Sequence, residues 1–216
     1  YIHNIYKMQF LRKVVGLMMI TNEQLKSLIE GKIIGDKFPY NTKSEDEILV
    51  HMKRLYHRIY RIPNLVVEAE WNHFGSGYAS FVEFFCYRKE DMMIEDDQYG
   101  NRVKEVDGIL LDICRLAPVA IMGEDTRYKS YRIEPYGERE VGGGHGTLLS
   151  GPQCLFVSEN PHPVAREIRI ALEEFDYKLL EAEELNQPLP FKTKIPTLYR
   201  EPKEYLVMDA IFYWED

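Results

Sequence analysis

The residue types able to carry acid, base or nucleophilic chemistry gather in one short stretch. Gly142, Gly143, Gly144, His145 and Gly146 stand together, with Glu140 just before them and Cys154 nine residues beyond His145. Consecutive glycines leave backbone amides bare, and a chain curled there into a concave nest can hold an anion. A histidine beside such donors is suited to proton transfer near neutral pH. A cysteine, a histidine and an orienting carboxylate are the general form of an activated nucleophile, which makes Cys154, His145 and Glu140 the candidate catalytic set. Known motifs are not matched. No Gly-Lys-Ser/Thr ends the run, no GxGxxG opens a helix, and the order is reversed relative to an HGGG oxyanion element whose partner GxSxG is also missing. The expectation is therefore a flexible loop or tight turn, with an anion-binding loop as the alternative. Cys154 sits in an apolar run that reads as a strand, the setting of an inert structural thiol.

Glu68 and Glu70 alternate with apolar neighbours, so they share one strand face, and Glu83 can join them from the return strand of a hairpin. Paired carboxylates suit acid/base work or weak cation binding. The expected role is plainer, the wet face of an antiparallel sheet. His51 and His57 are six apart on a helix and do not share a face, which excludes a zinc site of the HExxH kind. The acidic stretch starting at Glu95 has Val106 where a calcium loop needs its twelfth-position glutamate. No metal or cofactor is expected.

Composition sets the frame for these residues. With 45% hydrophobic and 12% aromatic residues in 216, the chain can bury enough surface to offset the entropy of ordering, and its length suits one domain. The net charge of −8, from 35 acidic against 27 basic residues, disfavours a phosphate-backbone binder and fits solubility or a cationic partner. Cys86, Cys114 and Cys154 are widely separated and odd in number, the usage of a reducing, cytoplasmic protein without a disulfide framework. The apolar run over 14–20 is far short of the roughly 20 residues that span a bilayer. The chain opens on Tyr1, so 1–17 read as an upstream extension or cloning remnant, with a single domain over 18–216.

The elements follow from periodicity and punctuation. Thr21 with Gln24, and Ser44 with Glu47, have the form of capping boxes. Ile48, Met52, Leu55 and Ile59 recur on one helical face, and the acidic start and basic end of that helix complement its dipole without needing nucleic acid. Strands are expected over 65–73 and 78–87, joined at Gly75-Ser76-Gly77. The apolar segments 109–116 and 119–123, broken at Ala117-Pro118, read as one bent strand. A long polar excursion is expected over 124–151 and strand texture over 153–158. An amphipathic helix opens at Asn160-Pro161-His162-Pro163 and runs over about 163–179, and alternation over 205–214 suggests a closing strand. Together these describe an α+β fold with a mainly antiparallel sheet, N-terminal helices and one further packed helix.

The function expected from the whole is that of a non-enzymatic, acidic binding protein that occludes a basic protein partner, as an inhibitor or immunity-type protein would. Its contact residues would be the acidic turn Glu95, Asp96, Asp97 and Tyr99 with the tyrosines Tyr128, Tyr131 and Tyr136, because tyrosine supplies rigid amphipathic contact area. The alternative is a small enzyme or anion-binding domain using Gly142 to Gly146.

Overall fold

The computed structural model describes residues 20–158 and 163–215. The expected extension over 1–17 and the opening of the amphipathic helix at Asn160 to His162 lie outside the described residues. Helix α1 (Asn22–Ile29) begins with both halves of the Thr21/Gln24 capping box formed and buries Leu25 and Leu28. In α2 (Glu45–Tyr60) the Ser44 hydroxyl accepts from the Glu47 amide, while the Glu47 side chain does not return the bond. The box expected there is half formed. The stripe Ile48, Met52, Leu55 and Ile59 is buried as its spacing requires.

The strands are β1 (Leu65–Glu70), β2 (Tyr78–Ala79), β3 (Phe81–Arg88), β4 (Met93–Asp96), β5 (Asn101–Cys114), β6 (Val119–Glu134) and β7 (Gly137–Gly144). Then come α3 (Pro163–Glu174), β8 (Lys178–Leu179), α4 (Ala182–Leu185), α5 (Val207–Ile211) and β9 (Trp214–Glu215). The main sheet has the order β1-β3-β5-β6-β7, antiparallel throughout, with β4 added to β5 and β8 parallel to β6; β2 and β9 form a separate ribbon. The fold is α+β. One sheet face carries Phe84, Ile109, Leu111 and Met122 against α2 and α3. The opposite face carries Phe81, Phe85, Leu110 and Ile121 against α1, α5 and the chain around Leu148, Leu155, Ile195 and Tyr205. Alternation along each central strand thus feeds two cores, which is why these strands read as nearly continuous apolar runs.

Strands β5 and β6 are 14 and 16 residues long, and only 106–114 and 119–123 are largely buried. Their outer halves, flanked by β4 and β7, project as a four-stranded arm.

Five expectations need correction. Ala117-Pro118 marks no bend but a reversal: β5 and β6 pair antiparallel up to Ile113 opposite Ala120. Arg115 pins this corner, its Nε donating to the Phe81 carbonyl at 3.1 Å and its Nη2 to the Trp71 carbonyl at 2.7 Å. The excursion over 124–151 is mostly the outer half of β6 and its return β7, polar because both faces are wet. Residues 153–158 form no strand; a tight 3-10 turn, Pro152–Cys154, follows Gly151 instead. Helix α3 ends at Glu174, and Asp176 turns the chain at φ 59° so that Lys178 and Leu179 can join the sheet. The closing strand is only Trp214–Glu215, because Val207–Ile211 is helical: the Asp209 carboxylate caps the Leu206 amide at 2.7 Å and also accepts from Arg200 at 2.5 Å.

Candidate functional site

Where the arm leaves the body, a groove of about 590 Å³ opens, lined by Glu68, Phe85, Tyr87, Arg127, Tyr128 and His145 among others. Its floor is built by strand register. Side chains alternate across each strand, so even positions on β1 and β5 share a face with odd positions on β3 and β6. Along the same face, beyond the groove lining, Glu70, Glu83 and Asp112 form one cross-strand row; Glu68 stands one rung from it, and Asp125 and Arg127 stand two and three rungs along.

Arg127 is the cation of this cluster. Its guanidinium lies 4.3 Å from the centre of the Phe85 ring, an arrangement worth more as water is excluded. Its Nη2 donates to Glu83 Oε1 at 2.5 Å. Nε stands 3.6 Å from Asp125 Oδ2, and Nη1 stands 4.0 Å from Glu68 Oε2, both beyond a direct hydrogen bond. The Tyr87 hydroxyl donates to Glu68 at 3.2 Å, and burial, reinforced by the Glu68 charge, pushes that phenol up to about 12.

Beneath them lies Asp112, 0% exposed and directly opposite Glu83 on β5. Among the described residues neither of its carboxylate oxygens has a hydrogen-bond partner. Burial and then the neighbouring Glu83 charge push it well above the usual carboxylate range. Glu83 is raised in the same direction by burial, against the opposing pull of Arg127. The wet-face expectation holds for Glu68, which is exposed, and is corrected for Glu83, which is 5% exposed because the chain around Leu148 and Leu155 lies across this side of the sheet.

The glycine run lies in β7, not in a loop. Gly142, Gly143 and Gly144 are extended and paired opposite Ser130, Lys129 and Tyr128, with a bulge between Gly142 and Glu140. Gly144 is small for a packing reason, since a Cβ there would strike the Tyr128 ring. The Gly146 amide already donates to Asp125 Oδ1 at 2.9 Å. His145 Nδ1 is 3.0 Å from the Gly146 carbonyl, in a contact that needs Nδ1 protonated. Glu140 and His145 both line the groove, and Cys154 does not. The structure thus brings together two members of the candidate catalytic set and leaves the nucleophile outside. Burial pushes the other two thiols, Cys86 and Cys114, up to about 12.

The residues expected to meet a partner come together on the arm. Glu95 and Asp96 lie on β4, Asp97 and Tyr99 in the β4–β5 turn, Tyr128 and Tyr131 on β6, and Tyr136 in the β6–β7 turn. Two of the acids have structural work. Asp97 accepts from the Tyr99 and Asn101 amides at 2.7 and 2.9 Å and from the Asn101 side chain at 2.8 Å, bonds that hold it below the usual carboxylate range. Asp96 accepts from Arg102 at 2.5 Å, and Arg102 also reaches Glu138. Lys104 bonds Glu138 at 2.6 Å and lies 4.5 Å over the Tyr131 ring. Among the described residues Glu95 and Glu140 take part in no such network.

Asp112, Asp125 and Arg127 were not singled out by the sequence reading. Asp112 did carry a signal, as the one charged residue within the apolar run 109–114. Arg127 gave none, because its partners are brought to it only by β5–β6 pairing. Among the described residues no group of three His, Cys, Asp or Glu converges in a way that could hold a metal ion. No protein-family model, curated protein or solved structure matches this chain.

Proposed function

We propose that this chain is a non-enzymatic binding protein that engages a basic protein partner through the arm. The observation that carries this reading is convergence: two acidic segments some thirty residues apart in sequence, one bearing Tyr99 and the other Tyr128, Tyr131 and Tyr136, form neighbouring strands of one projecting sheet. Residues 93–107 and 124–144 hold ten acidic and six basic residues. Exposed apolar side chains concentrate there as well, with Met93, Ile94, Tyr99, Tyr128, Ile133, Tyr136 and Val141 all on the arm. Clustered exposed apolar area on an acidic background is the expected anatomy of a surface that meets a cationic partner. Free thiols at Cys86, Cys114 and Cys154 support a reducing compartment. Among the described residues no helix is long and apolar enough to cross a membrane.

The test is affinity capture from lysate at low and high salt, comparing the natural chain with Glu95→Lys/Glu140→Lys. A stoichiometric basic protein that elutes with salt and is lost in the variant is the expected result. Identical capture by both chains, or no stoichiometric partner, overturns the reading. A second reading rests on the groove, whose volume suits a small ligand and whose wall carries His145 and Arg127. Small-anion binding abolished by His145→Ala without loss of stability would favour it.

A further inference from the structure

Among the described residues the least ordinary group is Asp112, a carboxylate with no exposure and no hydrogen-bond partner there on either oxygen. Native proteins pair nearly all buried polar atoms, so an orphaned acid calls for a physical account. Glu83 stands directly opposite on β3, a cross-strand position that puts the two Cβ atoms roughly 5 Å apart. The nearest cation, Arg127, is committed to Glu83. Two carboxylates this close in a dry site do not both ionise.

We infer that Asp112 is a buried proton site: the chain folds around it as the neutral carboxylic acid, and loss of that proton opens the cover over this face of the sheet, residues 147–155. Strand β3 contributes Glu83, and β6 contributes Arg127 and Asp125. Outside the sheet stands Tyr199, whose phenol is raised by burial and feels the charge of both Asp112 and Glu83. Glu70 and Glu68 stand one strand further off on β1, and His145 acts on Glu83 with the opposite sign. Among the described residues the fixed positive charge acting on Asp112 is the Arg127 guanidinium, already in use on Glu83, and Arg200 on the cover is paired with Asp209.

The cover can respond because polar ties hold much of it. Leu148 and the Cys154 carbonyl rest on Gly123, which follows by two residues the cross-strand partner of Asp112, Ile121. Arg200 clasps the Leu149 and Ser150 carbonyls at 3.3 and 3.0 Å. The Gly146 amide bonds Asp125, and the Glu124 amide bonds the Phe156 carbonyl at 3.2 Å. Lifting this segment lets water reach Asp112 at the loss of these bonds and of the burial of Leu148, Leu149 and Leu155. It also moves His145, so the groove changes shape with the proton.

The test is hydrogen exchange of the full chain, read by mass spectrometry over pH 5 to 8 and corrected for intrinsic exchange. The open fraction of 147–155 is expected to rise up to about tenfold per pH unit, the dependence of an opening that releases one proton. In Asp112→Asn that dependence disappears, while Glu140→Gln, on the arm, keeps it. The same pH dependence in Asp112→Asn and in the natural chain overturns the proposal. Side-chain carboxyl carbon NMR of the natural chain gives a check that needs no variant. One aspartate carboxyl protonated at pH 7 is expected, and a spectrum with every carboxyl ionised at pH 7 rejects the inference.

Discussion

Arg127 belongs to several carboxylates at once, and its removal separates the ways the cluster could be built. Arg127→Met keeps the contact with Phe85 but leaves Glu83 buried without its counter-ion. The expected cost is about 3 kcal/mol at neutral pH in urea unfolding, the scale for breaking a buried pair from one side. Adding Glu83→Gln should recover more than half of it; no recovery would mean that Arg127 acts mainly through packing. Asp112 works in the opposite sense. Its folded pKa lies above its unfolded one, so its contribution is full below about pH 4, the unfolded value, and is lost as pH rises toward the folded value. Asp112→Asn should therefore gain on the natural chain as pH increases, by up to about 1.4 kcal/mol per unit, and an equal slope in both chains would refute this. Glycines make a third residue-level contrast. A Cβ at Gly142 meets nothing, whereas one at Gly123 would run into the Cys154 carbonyl and the Leu148 side chain. Gly142→Ala should leave stability unchanged or slightly raised, and Gly123→Ala should lower it by about 1–3 kcal/mol. Equal behaviour at the two positions would remove the packing account of Gly123.

Among the elements, those whose stability is local could be read from the sequence, and those whose stability is borrowed could not. The α2 stripe and the Thr21 cap are stated by spacing alone. The segment 205–214 alternates like a strand, yet Val207–Ile211 is helical because Asp209 finds the Leu206 amide and Arg200, contacts made by the fold. The same reasoning explains 124–151: a wet strand on an arm has no apolar alternation, so β7 looks like a loop until β6 is beside it. Cys154 was misplaced for a related reason, since an apolar run can line a 3-10 turn against a sheet as readily as a strand. The consequence is measurable. Cys86 and Cys114 are fully buried and pushed up to about 12, while Cys154 is half-buried. A thiol reagent on the native chain should label Cys154 first and the other two only on unfolding; prompt labelling of Cys86 or Cys114 would contradict the packing described for β3 and β5.

At the scale of the molecule, the sheet does two jobs with the same strands. Its inner half is a double-sided core, and its outer half is a thin arm whose stability depends on cross-strand pairs rather than burial. The Asp96–Arg102–Glu138–Lys104 chain of ion pairs ties β4, β5 and β7 together on one face. Exposed pairs of this sort are individually weak and are screened by salt. Glu95 and Glu140 stand outside that chain, which separates recognition from folding. Reversing them should leave the unfolding free energy within about half a kcal/mol of the natural chain. The association rate with a basic partner should fall steeply, and the loss should shrink as salt is raised, because steering acts through the long-range field. Reversing Asp97 should instead loosen the β4–β5 turn it caps. A large stability loss in Glu95→Lys/Glu140→Lys, or a rate defect independent of salt, would mean that the arm's charge serves the fold rather than an encounter.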